Sequence, residues 1–163
     1  MSNSSFVANA RRGLMLLAAL GIVAGPSFAE EGRREARIPL LPAYAQECAA
    51  CHIAYPPGML PPESWRRIMD GLPRHYGTDA SLDPATVAAL SSWLATHAAT
   101  GGSARRAPPD DRITHSAWFV REHAEIAPAV WRRPAVNSPS NCAACHVRAD
   151  QGEFNEHDIR IPR

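Results

Sequence analysis

One five-residue sequence occurs twice in this chain, and no other feature limits its fold as strongly. Residues 48–52 and 142–146 both read Cys-Ala-Ala-Cys-His, and together they contain all four cysteines. In such a site the two sulfurs form thioether bonds with a haem, and the following histidine ligates the iron. The sequence therefore predicts two haem c groups. Their attachment residues are Cys48, Cys51, Cys142 and Cys145, and their proximal iron ligands are His52 and His146.

Two other kinds of site also use a Cys-x-x-Cys pair, namely redox dithiols and zinc sites. The two halves of a structural zinc site lie closer together in sequence than Cys48 and Cys142 do. A zinc site would also not explain why a histidine directly follows both pairs. The motifs therefore favour haem c.

The first 29 residues have the pattern of a signal peptide. Arg11 and Arg12 precede an uncharged apolar stretch over residues 13–25, and Ser-Phe-Ala at residues 27–29 resembles a cleavage site. An uncleaved membrane anchor is the alternative, although the apolar stretch is short for a spanning helix. The pattern predicts export to the periplasm. The mature chain is expected to begin at Glu30 and to contain no membrane span.

Composition limits the class of partner. The chain has 17 basic and 16 acidic residues, so its charge is nearly balanced and nothing indicates binding to nucleic acid. All of the basic residues are arginines, whose planar guanidinium groups could dock an acidic redox partner.

The mature chain divides into two predicted haem-binding lobes, residues 30–99 and 112–163. Residues 100–111 are rich in Gly, Ser, Arg, Pro and Asp without periodicity, which predicts a linker. Lobes this small cannot bury a sufficient apolar core by themselves, so we expect the protein without haem not to fold stably. The predicted fold is mainly α, a small c-type cytochrome with long irregular loops and little or no sheet.

Proline and cap signals place the helices. In the first lobe, a short helix over residues 42–50 delivers the first motif, a proline-rich loop covers residues 55–62, and a second helix starts at Pro62. Gly71 and Pro73 end that helix, which leaves His75 in a loop. Asp83 caps a third helix that runs to about Ala99.

In the second lobe, a short helix is predicted around residues 116–125. An arginine- and proline-rich loop follows it. A further helix starts at Pro139 and presents Cys142 and Cys145.

The sixth ligand of each iron determines its chemistry. A methionine raises the reduction potential of the haem and a second histidine lowers it. An empty position permits the iron to bind an external ligand or to act in catalysis. The mature chain has only two methionines, Met59 and Met69, and both lie in the first lobe. The second haem therefore takes a histidine or no protein ligand.

For the second haem we predict His123, which lies among the apolar residues Trp118, Phe119 and Ile126. His115 is the alternative, and His97 and His157 are less suitably placed.

For the first haem we predict His75, because its loop lets the side chain turn inward. Met69 competes, but it shares a helical apolar stripe with Trp65 and Leu72, and such a methionine more often belongs to a core.

Short motifs along the whole mature chain, in order, resemble the bacterial dihaem cytochrome c family. Besides the two attachment motifs they are Ala54-Tyr55-Pro56-Pro57, Ser64-Trp65, His75-Tyr76-Gly77, Ser81-Leu82-Asp83, Trp118-Phe119, His123-Ala124-Glu125-Ile126, Trp131-Arg132-Arg133-Pro134-Ala135-Val136 and Ile159-Arg160-Ile161-Pro162. The resemblance implies two low-potential haems with bis-histidine ligation. Their distal ligands are His75 and His123, and their proximal ligands are His52 and His146.

The same resemblance implies redox partners. They are a membrane cytochrome b as donor and a small soluble haem protein as acceptor. His97, His115 and His157 have no counterpart in the family pattern, which implies surface positions for them.

Two classes of function stay open at this point. One is an electron carrier whose irons are both capped by histidines. The other is a small haem enzyme or a gas or redox sensor with one open iron. Five histidines lie outside the attachment motifs, enough to cap both irons, and no output domain is evident. The ligand count therefore favours the carrier.

The paired motifs predict two covalent haems in one chain. Replacing Cys142 and Cys145 by alanine should halve the haem stain of the denatured protein at equal loading, because only the haem at the first motif stays attached. Denaturing gels stained for haem peroxidase activity measure this. An undiminished stain would contradict attachment at the second motif.

Overall fold

Short α-helices joined by single turns of 3₁₀ helix form the described part of the chain, residues 38–163, in the computed structural model. The α-helices are α1 (Pro42–Cys48), α2 (Pro62–Asp70), α3 (Pro84–His97), α4 (Ala117–Glu122) and α5 (Pro128–Trp131). No strand forms within these residues, and two isolated bridges pair His75 with Thr78 and His146 with Ile159. The predicted mainly helical fold is confirmed.

Two predictions are not settled by this architecture. The predicted signal peptide, residues 1–29, lies outside the described residues. Residues 38–163 all belong to one compact unit, and their division into two lobes stays a prediction. Helix α3, with 14 residues, is the longest in this part of the chain, and none there is long and apolar enough to span a bilayer.

Proline at the first helical turn fixes where most of these helices begin. It occupies that position in α1, α2, α3 and α5, where its missing N–H costs nothing and its fixed φ suits the helix. Asp83 caps α3 by accepting hydrogen bonds from the backbone of Ala85 and Thr86, each 3.0 Å long. The helix starts predicted at Pro62 and Asp83 are confirmed.

Helices α2 and α3 pack against each other around the main apolar core. Leu90 and Leu94 of α3 are fully buried, and Trp65 and Met69 of α2 are 5% exposed. The indole N–H of Trp65 donates to the backbone carbonyl of Pro57 at 2.7 Å, which satisfies the one polar atom that this ring buries. This core orients α2, and therefore the loop that carries His75.

The C-terminal part of the described chain buries little apolar surface. Beyond residue 100, the buried apolar side chains in the described chain are those of Pro108, Phe119, Val136 and Ala149. So few buried side chains cannot supply the stability of an ordinary core. The packing there is consistent with the expectation that a covalently bound group completes it.

One predicted helix is absent and an unpredicted one is present. The helix expected from Pro139 is wrong, because the second motif forms only a 3₁₀ turn over Cys142–Ala144. Polar side chains before the motif bond to nearby backbone instead: Ser138 Oγ accepts from the N–H of Ser140, and the amide of Asn141 donates to the Val136 carbonyl. Such local bonds compete with helix formation. The loop predicted after α4 contains helix α5.

Shortening Leu94 to alanine should destabilise the protein by about 2–5 kcal/mol, because the fully buried side chain leaves a cavity in the α2–α3 core. Denaturant titration of the haem-loaded protein, followed by circular dichroism, measures the free energy of unfolding. The matched control is Val120→Ala on α4, whose side chain is 59% exposed and should change stability by less than about 0.5 kcal/mol. Equal effects of the two changes would contradict the core described here.

Candidate functional site

The first attachment motif lies at the end of helix α1. Cys48 is the last residue of α1, and Cys51 and His52 follow in a turn. Burial raises the pKa of the Cys48 thiol to about 11, and Glu47 adds to the shift. Redox-active cysteines instead have a lowered thiol pKa. The surroundings of Cys48 therefore suit a sulfur that is covalently capped better than one that acts as a thiolate.

His52 and His75 lie opposite each other with nearly parallel rings. Their ring centres are 6.1 Å apart, and the angle between the ring planes is 27°. Two imidazoles on opposite sides of one metal ion have centres about 6 Å apart, because two metal–nitrogen bonds of about 2 Å each add to two ring radii of about 1 Å. The structure therefore brings the predicted proximal and distal histidines of the first haem together at a distance that fits an iron ion.

Both rings of this pair are held in a state suited to a metal. Nδ1–H of His52 donates to the carbonyl of Ile53 at 2.7 Å, which leaves Nε2 for a metal. Burial lowers the pKa of His75, and the neighbouring His52 and Arg112 lower it further. A neutral imidazole is the form that ligates metals.

A strap formed by Asp110, Asp111 and Arg112 lies over the loop of His75. The hydroxyl of Tyr76 lies 3.1 Å from the backbone carbonyls of both Asp110 and Asp111, to which it can donate. The guanidinium of Arg112 lies 4.3 Å from the centre of the Tyr76 ring, within the range of a cation–π contact. The end of the predicted linker is thus bound to the residue that follows the predicted distal ligand.

Helix α2 anchors the strap. Arg67 donates two hydrogen bonds to the Asp111 carboxylate, at 2.8 and 2.6 Å. Tyr76 has a φ of 49°, a left-handed conformation that costs a non-glycine residue about 1–3 kcal/mol and persists only where surrounding contacts enforce it. The strap supplies such contacts and so restrains the loop of His75.

An apolar cavity of about 440 Å³ surrounds the first histidine pair. Its size is within the range of small-molecule sites, about 300–1,000 Å³. Cys48, Cys51, His52 and His75 line it. The remaining wall is mainly apolar and includes Leu60, Trp65, Met69, Leu72, Leu90 and Leu94. A large flat apolar group with an iron at its centre suits such a lining.

The second attachment motif is held by the C-terminal segment. The backbone N–H of Arg160 donates to the Cys145 carbonyl at 2.8 Å, beside the bridge between His146 and Ile159. Burial raises the pKa of the Cys142 thiol to about 11. The second pair of cysteines thus has surroundings like those of Cys48.

His123 and His146 form the second facing pair. Their ring centres are also 6.1 Å apart, but the angle between the planes is 72°. His123 directly follows α4, and its Nδ1–H donates to the Phe119 carbonyl at 2.9 Å. The Phe119 ring stacks on His123 at 4.0 Å, and Trp131 lies 5.9 Å from it. The structure therefore brings together the second predicted proximal and distal histidines and fixes the distal ring among aromatic side chains.

Two buried nitrogens near this pair have unused hydrogen-bonding capacity. Nδ1 of His146 and Nε1 of Trp118 are buried and lack a hydrogen-bond partner within residues 38–163. A buried polar group without a partner costs about 1–3 kcal/mol. Burial also lowers the pKa of His146, and His123 adds to the effect. The second pair therefore has the polar deficit expected of a site that a bound group completes.

The donor set of both pairs fits haem iron. Each pair supplies two ligands, and no group of three or more His, Cys, Asp or Glu side chains suited to a metal ion occurs in residues 38–163. A metal at either pair therefore needs its other ligands from a non-protein group. A haem ring supplies four nitrogens and leaves two axial positions for imidazoles. The cysteines needed for covalent attachment precede His52 and His146 in both motifs.

The remaining candidate ligands have other contacts. Nδ1–H of His97 donates to the Trp93 carbonyl at 2.8 Å, and His97 packs on the Trp93 ring. The side chain of His115 is 47% exposed, 3.8 Å from Asp110, and His157 is exposed. Met69 belongs to the apolar core and also lines the first cavity.

Sequence reasoning missed several residues that hold the four histidines. Tyr55 stacks on His52 with ring centres 4.8 Å apart, and Phe154 lies 5.3 Å from His146. Arg67 and Arg112, at the strap, gave no signal beyond their charge. The aromatic residues around the motifs could have suggested ring contacts, but not which histidine each one holds.

The chain is similar to known dihaem cytochromes. The family model for dihaem cytochrome c matches residues 44–154. A crystal structure of a dihaem cytochrome c from Shewanella baltica is 39% identical, with a TM-score of 0.67, and the match covers 77% of this chain and 95% of that one.

Two structures from Rhodobacter sphaeroides are also similar. One is 40% identical with a TM-score of 0.63, covering 72% of this chain and 100% of that one. The other is 41% identical with a TM-score of 0.65, covering 72% and 98%. No curated protein matches the chain.

The ion pair that anchors the strap should give an acid-sensitive contribution to stability. The hydrogen bond from Arg67 lowers the pKa of Asp111, only partly offset by burial. The contribution of this ion pair to stability is therefore fully present above the carboxyl pKa of the unfolded chain, about 3.9. It is lost as the pH falls through the lowered pKa of Asp111 in the folded protein. Asp111→Asn should cost up to about 1 kcal/mol at pH 7, because the pair is partly solvent-exposed, and should cost nothing in strong acid.

Asp110→Asn is the matched control for this prediction. It makes the same charge change at the neighbouring position. Both residues have a left-handed backbone, with a φ of 55° at Asp110 and 54° at Asp111. The Asp110 side chain, however, is 74% exposed. Denaturant titrations at several pH values compare the two variants. A cost of Asp111→Asn that does not change with pH, or that Asp110→Asn matches, would contradict the role given to the ion pair.

Proposed function

The chain belongs to the dihaem cytochrome c family, which carries two haem c groups for electron transfer, and we propose that it is an exported electron carrier whose irons each have two histidine ligands. His52 and His75 ligate the first iron, and His123 and His146 ligate the second. The pairs Cys48 with Cys51, and Cys142 with Cys145, attach the haems. The observation that carries this proposal is the equal 6.1 Å spacing of the two histidine pairs.

The side chains have distinct tasks under this proposal. Bound haem supplies an iron that takes up and releases single electrons. The imidazoles of His75 and His123 occupy the positions where oxygen, peroxide or nitrite would otherwise bind. The contacts of Tyr76 with the strap and of Phe119 with His123 hold these distal rings in place.

The ligand type also bears on the potential. Two imidazoles give a lower potential than an imidazole with a methionine. Met69 is 5% exposed within the α2–α3 core. We therefore propose that both haems have low potentials.

The cellular location and the redox partners belong to the same proposal. Residues 1–29 direct the chain to the periplasm, where a membrane cytochrome b reduces it and a small soluble haem protein takes the electrons. The signal-peptide pattern supports the export, and the family resemblance supports the partners. Guanidinium groups on the surface suit acidic partners.

The alternative function is a small haem enzyme or a gas or redox sensor. That function requires one iron with an open position. The two facing histidine pairs favour the carrier, because each pair leaves no axial position unfilled. A small external ligand distinguishes the two functions.

Carbon monoxide tests the ligation directly. The reduced wild-type protein should bind it poorly, because the ligand must first displace an imidazole held by the fold. His123→Ala should open the second iron, turn that haem high-spin or water-ligated, and give ready binding of carbon monoxide. Visible spectra of the reduced protein with and without carbon monoxide measure both effects.

His115→Ala is the matched control, because this histidine is exposed and is the alternative ligand for the second haem. It should leave the spectrum unchanged. Wild-type protein that already binds carbon monoxide at one haem, together with a silent His123→Ala, would overturn the carrier and favour an enzyme or a sensor.

A further inference from the structure

Tyr55 connects the surroundings of the two histidine pairs. Its ring lies against His52, with centres 4.8 Å apart and an angle of 28° between the planes. Its hydroxyl donates to the backbone carbonyl of Ser140 at 2.8 Å. Ser140 lies just before Cys142 in the chain. One side chain thus touches the proximal histidine of the first haem and the segment that carries the second.

The cavity around the first histidine pair extends to the second attachment motif. Its lining includes Cys48 and His52, but also Tyr55, Ser140 and Cys142. A thioether at Cys142 joins the edge of the second haem directly to that sulfur. The edge of the second haem therefore begins at the wall of the cavity that surrounds the ligands of the first.

Tyr55 is well fixed for a structural role at this wall. Burial raises its pKa to about 12, so its phenol keeps its proton at neutral pH. Its own backbone carbonyl accepts a hydrogen bond from the hydroxyl of Tyr44 at 2.7 Å. Tyr44 is 2% exposed and belongs to the core. The core thus holds Tyr55, and Tyr55 holds Ser140.

Resting on the proposed function, we infer that the two haems approach each other at Tyr55 and Cys142, and that Tyr55 is the positioning residue for electron exchange between them. In this exchange one electron passes from the ferrous iron of one haem to the ferric iron of the other, and no bond or proton changes place. The rate of such a transfer falls steeply with separation. The hydrogen bond from Tyr55 to Ser140 therefore acts on the rate by fixing the separation.

Tyr55→Phe tests this inference, because it keeps the ring on His52 and removes only the hydroxyl. Electron paramagnetic resonance of the fully oxidised protein reports the magnetic interaction between the two irons. Nuclear magnetic resonance of the partly reduced protein reports the rate of exchange within one molecule. Tyr55→Phe should weaken the interaction and slow the exchange severalfold, while both haems keep low-spin spectra. Tyr55→Leu, which also removes the ring, should slow the exchange at least as much.

Thr96→Val is the matched control, because the Thr96 hydroxyl donates a bond of similar length, 2.9 Å, to a backbone carbonyl within α3. It should leave the interaction and the exchange rate as in the wild type. Unchanged exchange in both Tyr55 variants, or an equal loss in Thr96→Val, would overturn the inference. Failure of the proposed function is seen separately, as carbon monoxide binding or a high-spin spectrum in the wild-type protein.

Discussion

The 6.1 Å spacing within each histidine pair is the constraint around which residues 38–163 are arranged. In each pair, one histidine comes from an attachment motif and the other from a separate segment, so the spacing depends on tertiary contacts. At the first pair these contacts come from the α2–α3 core and from the strap. At the second pair they come from Phe119 and Trp131, with only a few buried apolar side chains behind them.

The sequence alone predicted the parts of the site that follow from local patterns. The two motifs identify the cysteines and predict that His52 and His146 are the proximal ligands. Proline and cap signals place α2 and α3, and therefore put His75 in a loop after α2. The apolar neighbours of His123 favour it as the distal ligand, and the Phe119 ring stacks on it. Each of these inferences uses residues that are close together in the chain.

The features that sequence reasoning missed depend on distant residues or on local competition. Arg67 binds Asp111 and Tyr55 binds Ser140 across long stretches of sequence, and nothing in the local pattern pairs them. Tyr76 adopts a left-handed backbone that its residue type disfavours. The helix expected from Pro139 failed because Ser138 and Asn141 bond to nearby backbone. These contacts join the predicted linker and the second motif to the first site.

The two histidine pairs share their spacing but not their orientation, since their ring planes meet at 27° and 72°. Near-parallel imidazoles act on a ferric iron along one common direction and separate the energies of two of its d orbitals. Near-perpendicular imidazoles act along both directions and leave those orbitals almost equal in energy. With the ligation proposed above, two centres built from the same ligands in one small protein would therefore differ magnetically, and each iron could be followed separately while the other is present.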